Sequence, residues 1–382
     1  MYSRKSILQF SCSAFILAIT LSVCGPAARA GEQAQSTSDM DALVAAAKKE
    51  GELSVIALPD TWCDYADMKK DFAAKYGIKI NDLNPNGGSG DELQAIIANK
   101  GNKGPQAPDV VDVGLGFGPR AVKQGLLAKY KVSTWDQIPD SAKDPDGYWY
   151  GDYYGVMALE VNSDLVKNPP QDWPDLLKPE YKNQVALSGD PRTAAQAIQG
   201  VFAAGLSATG GDIDKAGQAG LDFFKKLKEA GNFVPVVGLA GTVAKGETPI
   251  NIQWDYLSLA DNDKLGGNPP ILTIVPKSGV IAGIYIQGIS AYAPHPNAAR
   301  LWEEYVYSDE GQNTYLKGYC HPIRFNAMAK ANKLPADLMA KLPPAANYAK
   351  AVFPSLDQQA AYTDTITKNW DSVVGVSVQK SQ

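Results

Sequence analysis

The sequence predicts an α/β protein of two lobes, each a mostly parallel sheet flanked by helices. Three observations lead there. The chain has 382 residues, long for one core and well suited to two. Residues 52–113 alternate short β-branched runs with amphipathic stretches in a β–α–β–α–β rhythm. The alternation restarts near residue 184 without any short-period repeat. Hydrophobic residues make up 45% and charged residues 20%, which fits a globular chain and not a disordered one.

The elements follow in order. Residues 31–39 are polar and expected to be frayed. Residues 40–50 place Leu43, Val44 and Ala47 at helical spacing. ELSVIAL at 52–58 reads as a buried strand. Residues 65–76 form a helix with Met68, Phe72 and Ala73 on one face, 78–83 a strand, 91–99 a helix, and DVVDV at 109–113 a third strand. Further on, 184–187 and 248–254 read as strands and 191–204 and 217–230 as helices. One long helical stretch, 298–317, runs through Leu301, Trp302, Tyr305 and Val306, and the final third is helical and punctuated by prolines.

The first thirty residues stand apart. Arg4 and Lys5 open them, an apolar run spans 7–23, and Ala28-Arg29-Ala30 is a small-x-small cleavage pattern before Gly31. This reads as a cleaved secretory leader, because the run is short for a membrane span and broken by serines. A lipid anchor at Cys24 is the lesser alternative, since bulky Val23 precedes it. Loss of the leader removes three positive charges and no negative ones, so the formal net charge moves from −5 to about −8. An acidic exported chain is a poor partner for nucleic acid, which requires clustered Lys and Arg. No later stretch reaches eighteen continuous apolar residues, so the mature chain is expected to be a soluble, periplasmic monomer. Cys63 and Cys320 remain. An oxidising compartment allows them to pair, and two separate buried thiols are the equal alternative.

In open parallel sheets, ligands gather beyond the carboxyl ends of the strands. That rule selects residues 59–65, 85–91, 114–119 and 188–193. In NPNGGSGDEL, Gly88 and Ser89 lead into a helix. Ser89 and Glu92 fit a capping box, which leaves early amides free to meet a carboxylate or polar ligand atom. The loop lacks the Gly-Lys-Ser/Thr ending of a phosphate-binding P-loop. Asp60, Trp62 and Tyr65 share the first loop, Tyr153 and Tyr154 follow Asp152, and Trp254, Asp255 and Tyr256 follow the 248–254 strand. Three segments thus set rings beside carboxylates, a combination that suits an ammonium or quaternary amine. The bland alternative is that these rings are core residues with satisfied hydroxyls. Asp190 and Pro191 read as N-cap and N1 of the helix 191–204, with Arg192 placed to clamp a carboxylate, or merely to sit at the surface. Catalysis finds little support. His295 and His321 lack partners at metal-ligand spacing, no G-x-S-x-G is present, and no cofactor is expected.

The runs DGYWYG at 146–151, YGVMALEVN at 154–162, APHPNAA at 293–299 and SDEGQ at 308–312 give the chain a resemblance to the family 1 extracellular solute-binding proteins of ABC importers. Members bind polyamines, thiamine, ferric iron, aminoethylphosphonate or γ-aminobutyrate. The resemblance covers nearly the whole mature chain and implies the type II periplasmic binding protein fold, with crossover strands at 156–162 and 284–292. It implies one lobe of residues 31–157 plus 287–325, a second of 158–286 plus 326–382, and a ligand cleft between them. The partners it implies are a small-molecule solute and the permease and ATPase subunits of an importer. Similar ferric-iron binders carry adjacent tyrosines in the second lobe, whereas here the pair precedes the first crossover and 188–200 holds no tyrosine. An organic amine is therefore the favoured solute, with a ferric-iron or phosphonate receptor as the alternative. A carboxylate held by Ser89, its neighbouring amides or Arg192 would suit γ-aminobutyrate; otherwise a polyamine or thiamine-like cation fits better. A secreted hydrolase and an inert adhesive protein are the readings from other classes.

Overall fold

The computed structural model of the protein describes residues 27–343, 346 and 350–380, with 27–37 described by backbone only. Most of the expected leader, and Cys24 with it, lies outside the described residues. Two units divide at Ala42. Met1–Ala42 contributes the start of helix α1 (Ala27–Glu50), which runs helically through the segment expected to fray. Leu43–Gln382 holds all the other described elements. No helix among the described residues is long and apolar enough to cross a membrane.

The strands are β1 (Glu52–Ile56), β2 (Lys79–Leu83), β3 (Val110–Gly114), β4 (Tyr150–Asn162), β5 (Val185–Leu187), β6 (Phe233–Val237), β7 (Ile250–Trp254), β8 (Ile271–Ile274), β9 (Ala282–Ile289) and β10 (His321–Pro322). The helices after α1 are α2 (Tyr65–Tyr76), α3 (Ser89–Ala98), α4 (Gly118–Lys123), α5 (Ala195–Ala208), α6 (Ile213–Glu229), α7 (Ala240–Lys245), α8 (Asp255–Lys264), α9 (Pro296–Val306), α10 (Asp309–Lys317), α11 (Phe325–Lys330), α12 (Ala336–Met339) and α13 (Leu356–Val373).

β1 and β2 form a parallel pair. The other eight strands make one mixed sheet in the order β3-β9-β4-β7-β5-β6, with β8 and β10 also on β4. Parallel pairing within it is confined to β5 with β6 and β7. The long strands β4 and β9 run antiparallel to each other. Twelve of the thirteen residues of β4 are buried, so this strand is covered on both faces, and Asp152, Glu160 and Asn162 are buried with its apolar residues.

Two expectations are corrected. The stretch 298–317 is two helices, because Ser308 caps α10, its Oγ accepting the Gly311 N–H at 3.1 Å. The helix expected from 191 begins at Ala195. Pro191–Ala194 is a turn in which the Asp190 carbonyl accepts the N–H groups of Thr193 and Ala194, so Asp190 is not the N-cap. The C-terminal segment closes over α5, α6 and β6: Tyr362 stacks on Phe202 at 3.9 Å, and Trp370 meets Phe224 and Phe233.

α5 and α6 cross at glycines. A Cβ on Gly220 would fall 2.1 Å from the Val201 carbonyl oxygen, a backbone atom that cannot swing aside, whereas a Cβ on Gly241 in α7 would meet nothing within 4 Å. Gly220→Ala is therefore expected to destabilise by about 1–3 kcal/mol or more, and Gly241→Ala to stay within about 0.5 kcal/mol of the parent. Urea unfolding of both variants checks this contrast.

Candidate functional site

Five rings from four chain segments meet where β4, β9 and the start of α8 come together. Tyr153 and Tyr285 are register partners across β4 and β9, and their rings stack at 5.5 Å and 10°. Tyr256 stands edge-on to Tyr153 at 5.8 Å, and Trp254 stacks with Tyr256 at 6.3 Å. Trp62, on the loop after β1, packs edge-on against Tyr285 at 5.3 Å and Tyr256 at 5.9 Å. Trp62 is half-buried, while the other four are almost fully buried. Space for the rings comes from glycine. Gly155 and Gly283 are directly paired on β4 and β9. A Cβ on Gly155 would lie 2.4 Å from the Tyr256 ring, and one on Gly283 would lie 2.1 Å from the Trp254 ring.

Beneath the rings lies a carboxyl cluster. The Trp62 indole N–H donates to the Tyr153 hydroxyl, which donates to Asp112 Oδ2 at 3.0 Å. Tyr65 donates to the same oxygen at 2.7 Å. Asp152 Oδ2 accepts from Tyr315 at 3.0 Å and from the Gln287 amide at 3.1 Å. Glu92 Oε2 accepts the backbone N–H of Asp112 at 2.8 Å. Glu92, Asp112 and Asp152 are all buried, and Asp112 Oδ1 is a buried oxygen without a hydrogen-bond partner. Among the described residues, no lysine, arginine or histidine bonds to any of the three. Burial, then the charges of Asp152 and Glu92, hold the Asp112 carboxyl well above its ordinary range. Burial raises Glu92 likewise, and it pushes Asp152 up to about 7 against the opposing pull of its hydrogen bonds, the largest from Gln287.

The expected residues divide into two groups. Trp62, Tyr65, Tyr153, Trp254 and Tyr256 belong to the ring-and-carboxyl assembly. Asp255 adjoins it but is occupied, its Oδ1 accepting the Val156 N–H at 2.9 Å and so fastening α8 to β4. Tyr154 points to the opposite face of β4, where it stacks on His321 at 4.9 Å. Asp60 is exposed and paired with Lys69 at 2.9 Å. Arg192 is held by Asp190, by Asp371 at 3.2 Å and by the Ser377 hydroxyl at 3.0 Å, because its two nearest neighbours are acids and not a cleft.

The capping box is also corrected. Gly88 is the N-cap of α3, its N–H bonded to Asp91 Oδ2 at 3.1 Å. Ser89 lies inside the helix and accepts the Gly114 N–H at 3.1 Å, while Glu92 turns into the carboxyl cluster. The Gly90 N–H is bonded to the Thr193 carbonyl at 3.1 Å, so this loop abuts the 190–194 turn. Cys63 and Cys320 are joined by a disulfide, with Cα atoms 5.4 Å apart. A separate apolar cavity of about 160 Å³, lined by Trp173, Leu177, Ala204 and Phe223, shares no residue with the aromatic assembly.

A family model described as bacterial extracellular solute-binding protein matches residues 106–351. The chain belongs to this family. Among curated proteins, the "Putative 2-aminoethylphosphonate-binding periplasmic protein" of Salmonella typhimurium is 27% identical over 234 residues, 59% of this chain and 64% of that relative. The match thus spans less than two thirds of the relative's length. Among solved structures, the periplasmic binding protein AgtB from A. tumefaciens R10, in complex with agropinic acid, superposes with a TM-score of 0.67 at 16% identity, covering 85% of this chain and 98% of that one. Iron-bound HitA from Pseudomonas aeruginosa gives a TM-score of 0.63 at 18% identity, covering 85% and 99%. At such identities the likeness establishes the fold, that of a type II periplasmic binding protein.

Several residues of this solute-binding protein's candidate site escape sequence reading. Asp112 left a signal, a carboxylate in the middle of a strand that is otherwise apolar on both faces, which must find compensation when buried. Glu92 left another, since it shares a helical face with Ser89, Leu93 and Ile96. Tyr285, Gln287 and Tyr315 left none, because their roles depend on strand pairing and on α10 arriving from far along the chain.

The raised carboxyl at Asp152 has a signed consequence. Between pH 4 and about 7 the folded chain holds a proton that the unfolded chain has released, so this group's contribution to stability falls as pH rises through that window. His321, lowered to about 4 by burial, works the other way, adding stability as pH rises toward 6.5. The difference in unfolding free energy, parent minus Asp152→Asn, is therefore expected to fall from pH 4.5 to 7 by up to about 1.4 kcal/mol per pH unit. Denaturant titrations of both proteins at several pH values measure it, and a flat difference contradicts the assignment.

Proposed function

We propose that this solute-binding protein is the periplasmic receptor of an ABC importer and that it captures a small organic cation. One observation carries the choice of cation. Three buried carboxyls, to which no base among the described residues bonds, lie under a wall of aromatic rings. An ammonium group supplies the missing positive charge, and the ring faces bind its methylene or methyl groups.

The groups that would take an anionic end are already engaged. Arg192 is held by two acids and a hydroxyl, Ser89 Oγ accepts from Gly114, and the Gly88 and Gly90 amides are bonded. This favours a polyamine or thiamine-like cation over γ-aminobutyrate. A second reading, an aminoalkylphosphonate, is favoured by the 27% identical relative. Its ammonium would use the same carboxyls, but its phosphonate lacks a free base. Ferric iron is disfavoured, since the described residues contain no group of three His, Cys, Asp or Glu side chains able to hold a metal ion.

In the mechanism, residues 31–157 plus 287–325 and residues 158–286 plus 326–382 act as two lobes joined through β4 and β9. The Gly155–Gly283 pair lies on those joining strands and lets Trp254 and Tyr256, at the start of α8, reach Tyr153 and Tyr285. Solute that touches both sets of rings binds the closed form more tightly and shifts the population toward it. The closed form then docks on the permease, with no bond made or broken in the solute.

Thermal unfolding with a panel of diamines and polyamines, thiamine, γ-aminobutyrate, 2-aminoethylphosphonate and ferric citrate tests the reading. Saturation at a hundredfold the dissociation constant adds about 2.7 kcal/mol, a rise of several degrees, expected for the cations that lack an anionic end. Stabilisation by the phosphonate alone, by ferric citrate alone, or by nothing in the panel overturns it. Trp62→Ala is expected to weaken the effective cation by roughly 1–2 kcal/mol in titration calorimetry.

A further inference from the structure

The segment 317–320 joins two regions that the fold would otherwise leave independent. On one side it is fixed to the loop that carries Trp62. The Cys63–Cys320 disulfide links them across 257 positions of sequence. Gly318 lies so close to that loop that a Cβ would come 2.3 Å from the Cys63 carbonyl carbon and 2.4 Å from the Asp64 nitrogen. Lys317 pairs with Asp64 at 3.0 Å and with Asp67. Cys63, Asp64 and Tyr319 all adopt positive φ, at 48°, 59° and 69°, a region side-chain-bearing residues enter only when their surroundings impose it.

On the other side the Tyr319 hydroxyl donates to the Asp263 carboxylate near the end of α8. Trp62 meets Tyr256 near the beginning of the same helix. Both ends of α8 are thus held by residues adjacent to the two half-cystines, Trp62 beside Cys63 and Tyr319 beside Cys320. The contact lies at the margin of the candidate site and touches none of its carboxyls.

We infer that segment 317–320 is a clasp: anchored by the disulfide, it positions Trp62 over the rings and, through Tyr319 and Asp263, holds α8 in the closed arrangement. Tyr319 and Asp263 are positioning residues and set how long the closed form lasts, not how fast solute enters. A charged hydrogen bond formed on closure is broken before release, so it slows dissociation. The inference rests on the proposed solute-receptor reading, and its test separates the two.

The experiment compares the parent, Tyr319→Phe, Asp263→Ala and the double variant, with the disulfide intact. Each single change removes the contact and leaves the buried core untouched. Using the amine that stabilises the parent, stopped-flow binding is expected to show a dissociation rate raised about three- to tenfold, an association rate within about twofold, and a double variant no faster than the singles. Unchanged dissociation, or single effects that multiply in the double variant, overturns the clasp. If no amine binds the parent, the cation reading fails on its own. The clasp is then judged by small-angle scattering of the unliganded proteins, where a larger radius of gyration for Tyr319→Phe supports it and identical curves overturn it.

Discussion

The structure turns on a set of hydrogen bonds to two buried carboxyls. Asp112 on β3 and Asp152 on β4 are bridged by Tyr65 of α2, by Tyr153 of β4, by Gln287 of β9 and by Tyr315 of α10. Five elements from both ends of the chain thus meet at one oxygen of each carboxyl, Asp112 Oδ2 and Asp152 Oδ2. The network fixes the tilt of Tyr153, and through it the position of the Trp62 indole that donates to its hydroxyl. A buried acid satisfied by several donors is costly to leave half-satisfied, so each donor's position constrains the others. The aromatic wall above is consequently set by the polar floor below, more than by ring contacts of roughly 1 kcal/mol each.

The second constraint is the absence of side chains at one rung of the sheet. Gly155 and Gly283 face each other across β4 and β9, and the indole of Trp254 and the phenol of Tyr256 fill the space. Alanine at either position would drive a methyl group into a ring edge. The same rung carries the start of α8, which Asp255 fastens through its bond to the Val156 N–H. The polar network orders the rings of the first half of the chain, the glycine rung admits those of the second, and Asp255 keeps the two sets in contact.

How much of this was legible in the sequence differs by the kind of constraint. β1, α2, β2, α3 and β3 were readable almost residue by residue, because local apolar periodicity and β-branched runs decide them. The crossovers were found through the YGVMALEVN run, yet their antiparallel pairing was not, since pairing is a property of two segments 130 residues apart. Trp62, Tyr153, Trp254 and Tyr256 were singled out because rings beside acids at strand ends are a local pattern, and the structure brings these four rings into contact. Tyr154 was grouped with Tyr153 by adjacency, and adjacency in a strand sends neighbours to opposite faces. Arg192 was assigned to a ligand because the sequence shows a base near a helix start but does not show Asp371, 179 positions later, closing on it. Ser89 and Glu92 matched a capping pattern that the helix satisfies one residue earlier with Gly88 and Asp91, which frees both side chains for tertiary contacts.

Under the proposed reading, the electrostatics of the floor limit what the site would accept. Two unit charges 4 Å apart repel by about 4 kcal/mol at an effective dielectric of 20, and burial, with neighbouring acids adding to it at Asp112 and Glu92, holds the Glu92, Asp112 and Asp152 carboxyls above their ordinary ranges. Three bases among the described residues are committed elsewhere: Lys69 to Asp60 and Asp82, Lys317 to Asp64 and Asp67, and buried Arg324 to Asp309 and the Tyr307 carbonyl. An entering anion gains nothing there, because it meets acceptors and ring faces of its own sign. A cation would gain twice, from carboxyls that ionise in its presence and from the faces of the adjoining rings, and the proposed preference for positively charged solutes rests on this asymmetry.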